Sequence, residues 1–237
     1  MDKVIRGSQS HATKIANDLR ENVVDAVENL LQGVIDAREN QDLWEARLDT
    51  KKIPSEKQLK MLFDEGVYLL YRILFILYAE SRDLLPIGES AIYREGYSLE
   101  HLRVLAEKHI RTEDYDKSYY IDTVRTLCKM LYKGYPPRNP AARSRNSAPR
   151  EKGTATFRIP PYNGRLFNPQ RTHLFDDCHV PDRAMREVIR ALSLSRPSQG
   201  NGRRERYSYA DLGVDQLGSI SGRTRITVKI YHNALLF

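Results

Sequence analysis

Cysteine is scarce. The chain has two in 237 residues, Cys128 and Cys178, far apart in sequence and at no metal-ligand or redox spacing. A reduced, cytoplasmic compartment suits that usage. Long apolar runs are also missing. The longest, Val67 to Ala79, is broken by Arg72 and falls short of the roughly 20 residues that span a bilayer. The first ten residues, MDKVIRGSQS, hold no apolar stretch of the kind a secretory leader carries. The expectation is a cytoplasmic protein with no membrane partner. The 13 glycines never gather into the glycine-rich loop after a strand that cradles a nucleotide cofactor. Only Asp49-Thr50-Lys51 offers the letters of the Asp-x-Lys metal-nuclease pattern, and its flank, Trp44 to Leu48, reads as a helix end. His173, Asp176, Asp177 and Cys178 cluster in sequence, but Cys178 and His179 are adjacent rather than set at ligand spacing. No catalytic, cofactor-binding or metal-binding residue is therefore expected in this chain.

What is present is helical patterning and positive charge. The net charge of +7 favours an anionic partner. Ile15, Leu19, Val23, Ala26, Leu30 and Val34 recur at three or four and predict a helix from about Thr13 to Asp36. A second helix is expected to begin between Pro54 and Gln58 and to merge into the apolar run. Gly66 is its expected kink and Pro86 its stop. Ser98 and Ser118 read as N-caps and Gly134 as a C-terminal stop. Pro181 and Asp182 open a further helix bearing Met185, Val188, Ile189 and Leu192. A short, apolar-patterned helix is expected over Leu212 to Ile220. The fold class predicted is mainly α: a multi-helix globular region with a flexible basic loop and little or no regular sheet.

The organisation expected is a helical domain over 1–137, built on a buried core helix at 67–85, then a flexible basic linker over 138–158. A second helical segment follows over 159–220. The linker, RNPAARSRNSAPREKGTATFR, has six cationic residues and Glu151 as its one acid. Such composition does not bury enough to order itself. Arg143, Arg145, Arg150, Lys152 and Arg158 are the candidate contacts to DNA phosphates. No aromatic residue interleaves with them before Phe157, so a stacking platform for single strands is not indicated.

Four segments carry a family resemblance. Val67 to Pro86, VYLLYRILFILYAESRDLLP, resembles the string LYRLLFLLYAEDRGLLP of large bacterial proteins that fuse an endonuclease to an adenine-N6 DNA methyltransferase. Related single-chain adenine methyltransferases of phage defence are similar. Tyr93 to Leu102 (YREGYSLEHL), Tyr162 to Phe167 (YNGRLF) and Tyr209 to Ile220 (YADLGVDQLGSI) follow in the family's order. Arg165 departs from it, standing where a second glycine is usual. The resemblance implies a whole protein that transfers a methyl group from S-adenosylmethionine to adenine in a specific DNA site. This chain would be its N-terminal helical part, with DNA as partner and the cofactor held elsewhere.

Ile159-Pro160-Pro161-Tyr162 approaches the Asn/Asp/Ser-Pro-Pro-Tyr motif of amino-methyltransferases. Ile159 cannot accept a hydrogen bond from the target amine through its side chain, so an extended Pro-Pro turn is expected and the chain alone is expected to be inactive. The family's continuation after LGVDQLGSI begins Tyr-x-Gly-x-Leu-Glu, whereas here Ser221 to Ile226 follow. Chosen codons for Ile220 to Ile226, ATA TCA GGG CGT ACT CGA AT, read one base later as Tyr-Gln-Gly-Val-Leu-Glu. Residues 221–237 are accordingly expected to be an out-of-frame tail; the rival reading is a true strand, with Ile226, Val228 and Ile230 on one face. A reading from another class stays open: a freestanding, non-catalytic helical interaction or nucleic-acid-binding module.

Overall fold

Seven α-helices, one short hairpin and several 3-10 turns are the regular elements among the described residues. The structure is a computed structural model and describes residues 2–48, 50–136, 157–162, 164–196 and 204–213, with the side chains of 2–12 and 14 left aside. Helix α1 runs Asp2–Asp36, α2 Glu56–Ser81, α3 Ala91–Gly96, α4 Leu99–Glu107, α5 Tyr119–Lys133, α6 His173–Asp177 and α7 Asp182–Ser193. Strands β1 (Ala46–Leu48) and β2 (Lys51–Ile53) pair antiparallel, with Ala46 opposite Ile53. The mainly helical class expected from the sequence is what the chain adopts. A short 3-10 helix, Arg38–Leu43, does end at Trp44, and the hairpin takes up Ala46 to Leu48 where the helix end was expected to continue. Trp44 is buried ahead of it, and three-residue strands are too short to carry a period of their own.

The α1 stripe from Ile15 to Val34 is buried along its whole length. The helix itself starts earlier than the sequence suggests, at Asp2 rather than near Thr13. α7 lies along it. The two backbones approach so closely at Gly33 that a methyl group there would sit 2.3 Å from Cβ of Ala184. Asn22, itself buried, locks the pair: its amide donates to the carbonyls of Ala191 and Leu194 at 2.9 and 3.2 Å and to the Tyr207 hydroxyl at 3.0 Å. One hydrophobic core runs through residues of α1, α2, α4, α5 and α7 together with Phe157, Ile159, Phe167, Tyr209 and Leu212.

α2 is the central element. Ser55 and Gln58 form a reciprocal capping box at its start. There is no break at Gly66; α2 continues through it, with the Phe175 ring at ordinary contact distance, 3.4 Å from where a Cβ would stand. The helix ends at Ser81 rather than running on to 85. Asp83 adopts a left-handed φ of 53°. The amide of Leu84 returns to the Ala79 carbonyl at 2.9 Å and that of Asp83 to the Glu80 carbonyl at 3.2 Å. That pair of bonds closes a helix end by the Schellman pattern, so Pro86 is not what stops it.

Ser98 caps α4, accepting from the His101 amide at 3.1 Å. Ser118 precedes α5 without capping it: its hydroxyl donates to Asp122 at 2.6 Å. The amide of Tyr120 is taken by the Asp182 carboxylate from the start of α7, at 2.9 Å. A cap supplied 62 residues away has no signature in the local sequence. Gly134, at φ 80°, ends α5 as expected. No helix among the described residues is long and apolar enough to cross a membrane.

Candidate functional site

Three charged side chains of α2 and its exit turn reach out to three separate parts of the chain. Arg72 is 4 % exposed. Its Nε donates to the Leu166 carbonyl at 2.7 Å, Nη2 to the Asn168 carbonyl at 2.8 Å and Nη1 to the Thr172 hydroxyl at 2.7 Å. Glu80, 5 % exposed, accepts from the Tyr93 hydroxyl at 2.8 Å and from the amides of Leu99 and Glu100 at 2.9 and 3.0 Å. It therefore sits at the N-terminus of α4, where free amides favour negative charge. Burial pushes its carboxyl up to about 7, against the lowering pull of those three donors. The same burial, with Glu80 beside it, drives the Tyr93 hydroxyl well above the usual phenol range. Arg82 donates from Nη2 to the Leu212 carbonyl at 3.1 Å.

A fourth charge on α2 repeats the pattern. Glu65, buried, accepts from the Phe175 amide at 3.0 Å and pairs with Nδ1 of His173 at 3.1 Å. Burial raises its pKa, opposed by the Phe175 amide and the His173 charge. α2 thus holds the 165–177 segment from two points, one cationic and one acidic.

Between α2, α5 and that segment lies a cavity of about 170 Å³. Leu69, Ile121, Phe167 and Phe175 give it apolar walls, and Tyr132 and Cys128 also face it. Cys128 is buried, which pushes its thiol up to about 12 and keeps it protonated. Four cations line the same space, Arg72, Arg125, Lys129 and Lys133, against one carboxylate, Asp176. Arg125, Lys129 and Lys133 stand four residues apart on α5, a spacing that puts them on one helix face. Nη2 of Arg125 donates to the carbonyls of Phe175 and Cys178, the latter at 2.7 Å. Its Nε is buried without a hydrogen-bond partner and stands 3.9 Å from Asp176. Lys129 and Lys133 are exposed.

Of the residues singled out from the sequence, Asp176 lines this cavity. Arg143, Arg145, Arg150 and Lys152 lie outside the described residues, as do 214–220 of the expected last helix and the tail over 221–237. Arg158 is exposed between the buried Phe157 and Ile159. Ile159 exchanges both backbone hydrogen bonds with Tyr135, at 2.8 and 2.9 Å. Its side chain is buried, and the ring of Tyr162 packs edge-on against Phe75 at 6.0 Å. The Ile-Pro-Pro-Tyr run is thus a structural turn whose first carbonyl is already bonded, and it does not fit the handling of a target amine. No group of three or more His, Cys, Asp or Glu positioned for a metal ion occurs among the described residues. The α5 stripe was legible as Arg-x-x-x-Lys-x-x-x-Lys, yet the denser charge of 138–158 draws attention away from it.

No protein-family model, no curated protein and no solved structure matches this chain.

Proposed function

We propose that this chain is the N-terminal helical region of a site-specific adenine-N6 DNA methyltransferase of the restriction–modification type. Its role in that protein is to brace the catalytic core and join it to a nuclease or DNA-reading part. It works in the cytoplasm on DNA, within an enzyme whose S-adenosylmethionine is held outside this chain.

One observation carries the reading. The resemblance rests on four segments scattered over Val67 to Ile220, and the charged residues of the first segment bond the other three. Arg72 reaches Leu166 of the YNGRLF segment. Glu80 reaches Tyr93, Leu99 and Glu100 of YREGYSLEHL. Arg82 reaches Leu212 of YADLGVDQLGSI. All three residues are shared with the family string. Chance similarities in four places would have no reason to meet in this way. The left-handed backbone at Asp83 adds support, because the family string has glycine there, the residue such a conformation favours.

The test is the gene downstream of the codon for Phe237. One of its three frames should encode a glycine-rich loop and then an Asn-Pro-Pro-Tyr-like motif. The longer product should transfer tritiated methyl from S-adenosylmethionine to adenine in DNA, while the 237-residue chain should not. A downstream region with neither motif in any frame would sink the proposal and promote the freestanding-module reading. So would methylation by this chain alone that Tyr162→Ala abolishes.

A further inference from the structure

We infer that the cavity between α2, α5 and the 165–176 segment is a binding site for a nucleoside phosphate. The ring system enters the apolar interior and the phosphate rests on the cations at the mouth.

The argument begins with Arg72. A buried guanidinium is expensive to desolvate and is normally matched by a carboxylate. Arg72 has no carboxylate partner among the described residues; its three bonds go to two carbonyls and a hydroxyl. Two of its five N–H donors remain unassigned. Arg125 adds a second largely buried guanidinium, 17 % exposed; its Nη1 pairs with Asp122 at 3.2 Å and its Nε, without a hydrogen bond, stands 3.9 Å from Asp176. Lys129 and Lys133 continue the same face to the surface, and no carboxylate among the described residues pairs with either. Asp122 and Asp176 both serve Arg125, which leaves Arg72, Lys129 and Lys133 without a carboxylate among the described residues, so the lining carries a positive excess. That excess matches a dianionic phosphate better than a single carboxylate. Flexible lysine ammoniums at the mouth suit a phosphate as point charges.

The interior sets the other half of the ligand. A cavity of about 170 Å³ is the size that accepts one aromatic ring when its walls are apolar. Phe167, Phe175 and Leu69 supply such walls, and Tyr132 and Thr172 add hydroxyls. An inorganic anion would leave that space unfilled, and a neutral ring would leave the cations unmatched. A ring bearing a phosphate uses both. The site does not depend on whether the chain belongs to a methyltransferase.

The ligand has two sources, a free mononucleotide or a nucleotide within a strand. The experiment is calorimetric titration of the full chain with AMP, with adenosine, and with a short deoxyadenylate strand lacking terminal phosphates. AMP should bind, and adenosine should bind at least about tenfold more weakly, as loss of charge-assisted bonds requires. Lys129→Ala/Lys133→Ala, a change of two exposed side chains, should weaken AMP at least about tenfold with an unchanged thermal midpoint. Displacement of AMP by the strand assigns the site to nucleic acid; failure to displace assigns it to the free nucleotide. No AMP binding at millimolar concentration, equal binding of AMP and adenosine, or an unaltered AMP affinity in the double variant overturns the inference.

Discussion

Removing the Glu80 carboxylate should produce a loss far larger than its position in a helix's last turn suggests, and should change how stability follows pH. In Glu80→Ala the Tyr93 hydroxyl and the amides of Leu99 and Glu100 lose their acceptor. Each orphaned buried donor costs about 1–3 kcal/mol, so a total near 4 kcal/mol is expected. Glu80→Gln keeps one acceptor oxygen and turns an NH₂ toward a donor, for a loss of about 1–2 kcal/mol where the native carboxyl is protonated. The pH effect has a definite sign. The folded carboxyl is raised from 4.5 to about 7, so between those values the native state holds a proton that the unfolded chain releases. This contribution is fully present below the unfolded pKa and is lost as pH climbs through the folded one. Over that window it amounts to something on the order of 3 kcal/mol. Urea unfolding of wild type and Glu80→Gln from about pH 5 to about pH 8 isolates the term, because other groups cancel in the difference. The glutamine variant should gain on wild type by that amount as pH rises. Parallel pH profiles would refute the argument.

Gly33→Val should destabilise by about 3 kcal/mol, since even a bare Cβ there overlaps Ala184; an unshifted urea midpoint would mean that α1 and α7 are not in close contact. Leu74, 2 % exposed in α2, should cost about 2–5 kcal/mol as Leu74→Ala, and Leu74→Asp should prevent cooperative melting by calorimetry. Asp83→Gly should raise stability by about 0.5–1 kcal/mol by relieving the left-handed backbone, while Asp83→Val should lower it. The reverse order in thermal midpoints would contradict the helix end described for α2.

Much of the helical frame was legible because burial repeats with the helical period. The α1 stripe, the apolar faces of α5 and α7 and the cap at Ser98 all follow from local spacing. The misses share a cause, which is that the deciding partner is remote. Asp182, not Ser118, meets the first amides of α5. The left-handed turn that ends α2 falls on aspartate rather than glycine, so local sequence points to the nearby proline as the stop. The cavity was hidden in the same way: α5 supplies three of its four cations, but Arg72 and much of its apolar wall come from α2 and from residues 167–175. Spacing along one helix names a charged face without saying what stands opposite it.

Arg72 shows where such reading stops and physical argument must continue. In sequence it is one cation interrupting thirteen otherwise apolar positions, and an interruption suggests an edge turned to solvent. Yet α2 is buried on nearly every side, so no solvent edge exists at that position. A charge there must be met by acceptors from elsewhere in the chain, and Leu166, Asn168 and Thr172 meet it. If those neutral acceptors are its full complement, Arg72→Met, of similar length and apolar, should leave a few orphaned acceptors and lose only about 1–3 kcal/mol. If the guanidinium also serves an anion in the cavity, the same variant should lose AMP binding while remaining folded by circular dichroism. A folded Arg72→Met protein that binds AMP as wild type does would assign the residue to structure alone and leave the mouth of the cavity to Arg125, Lys129 and Lys133.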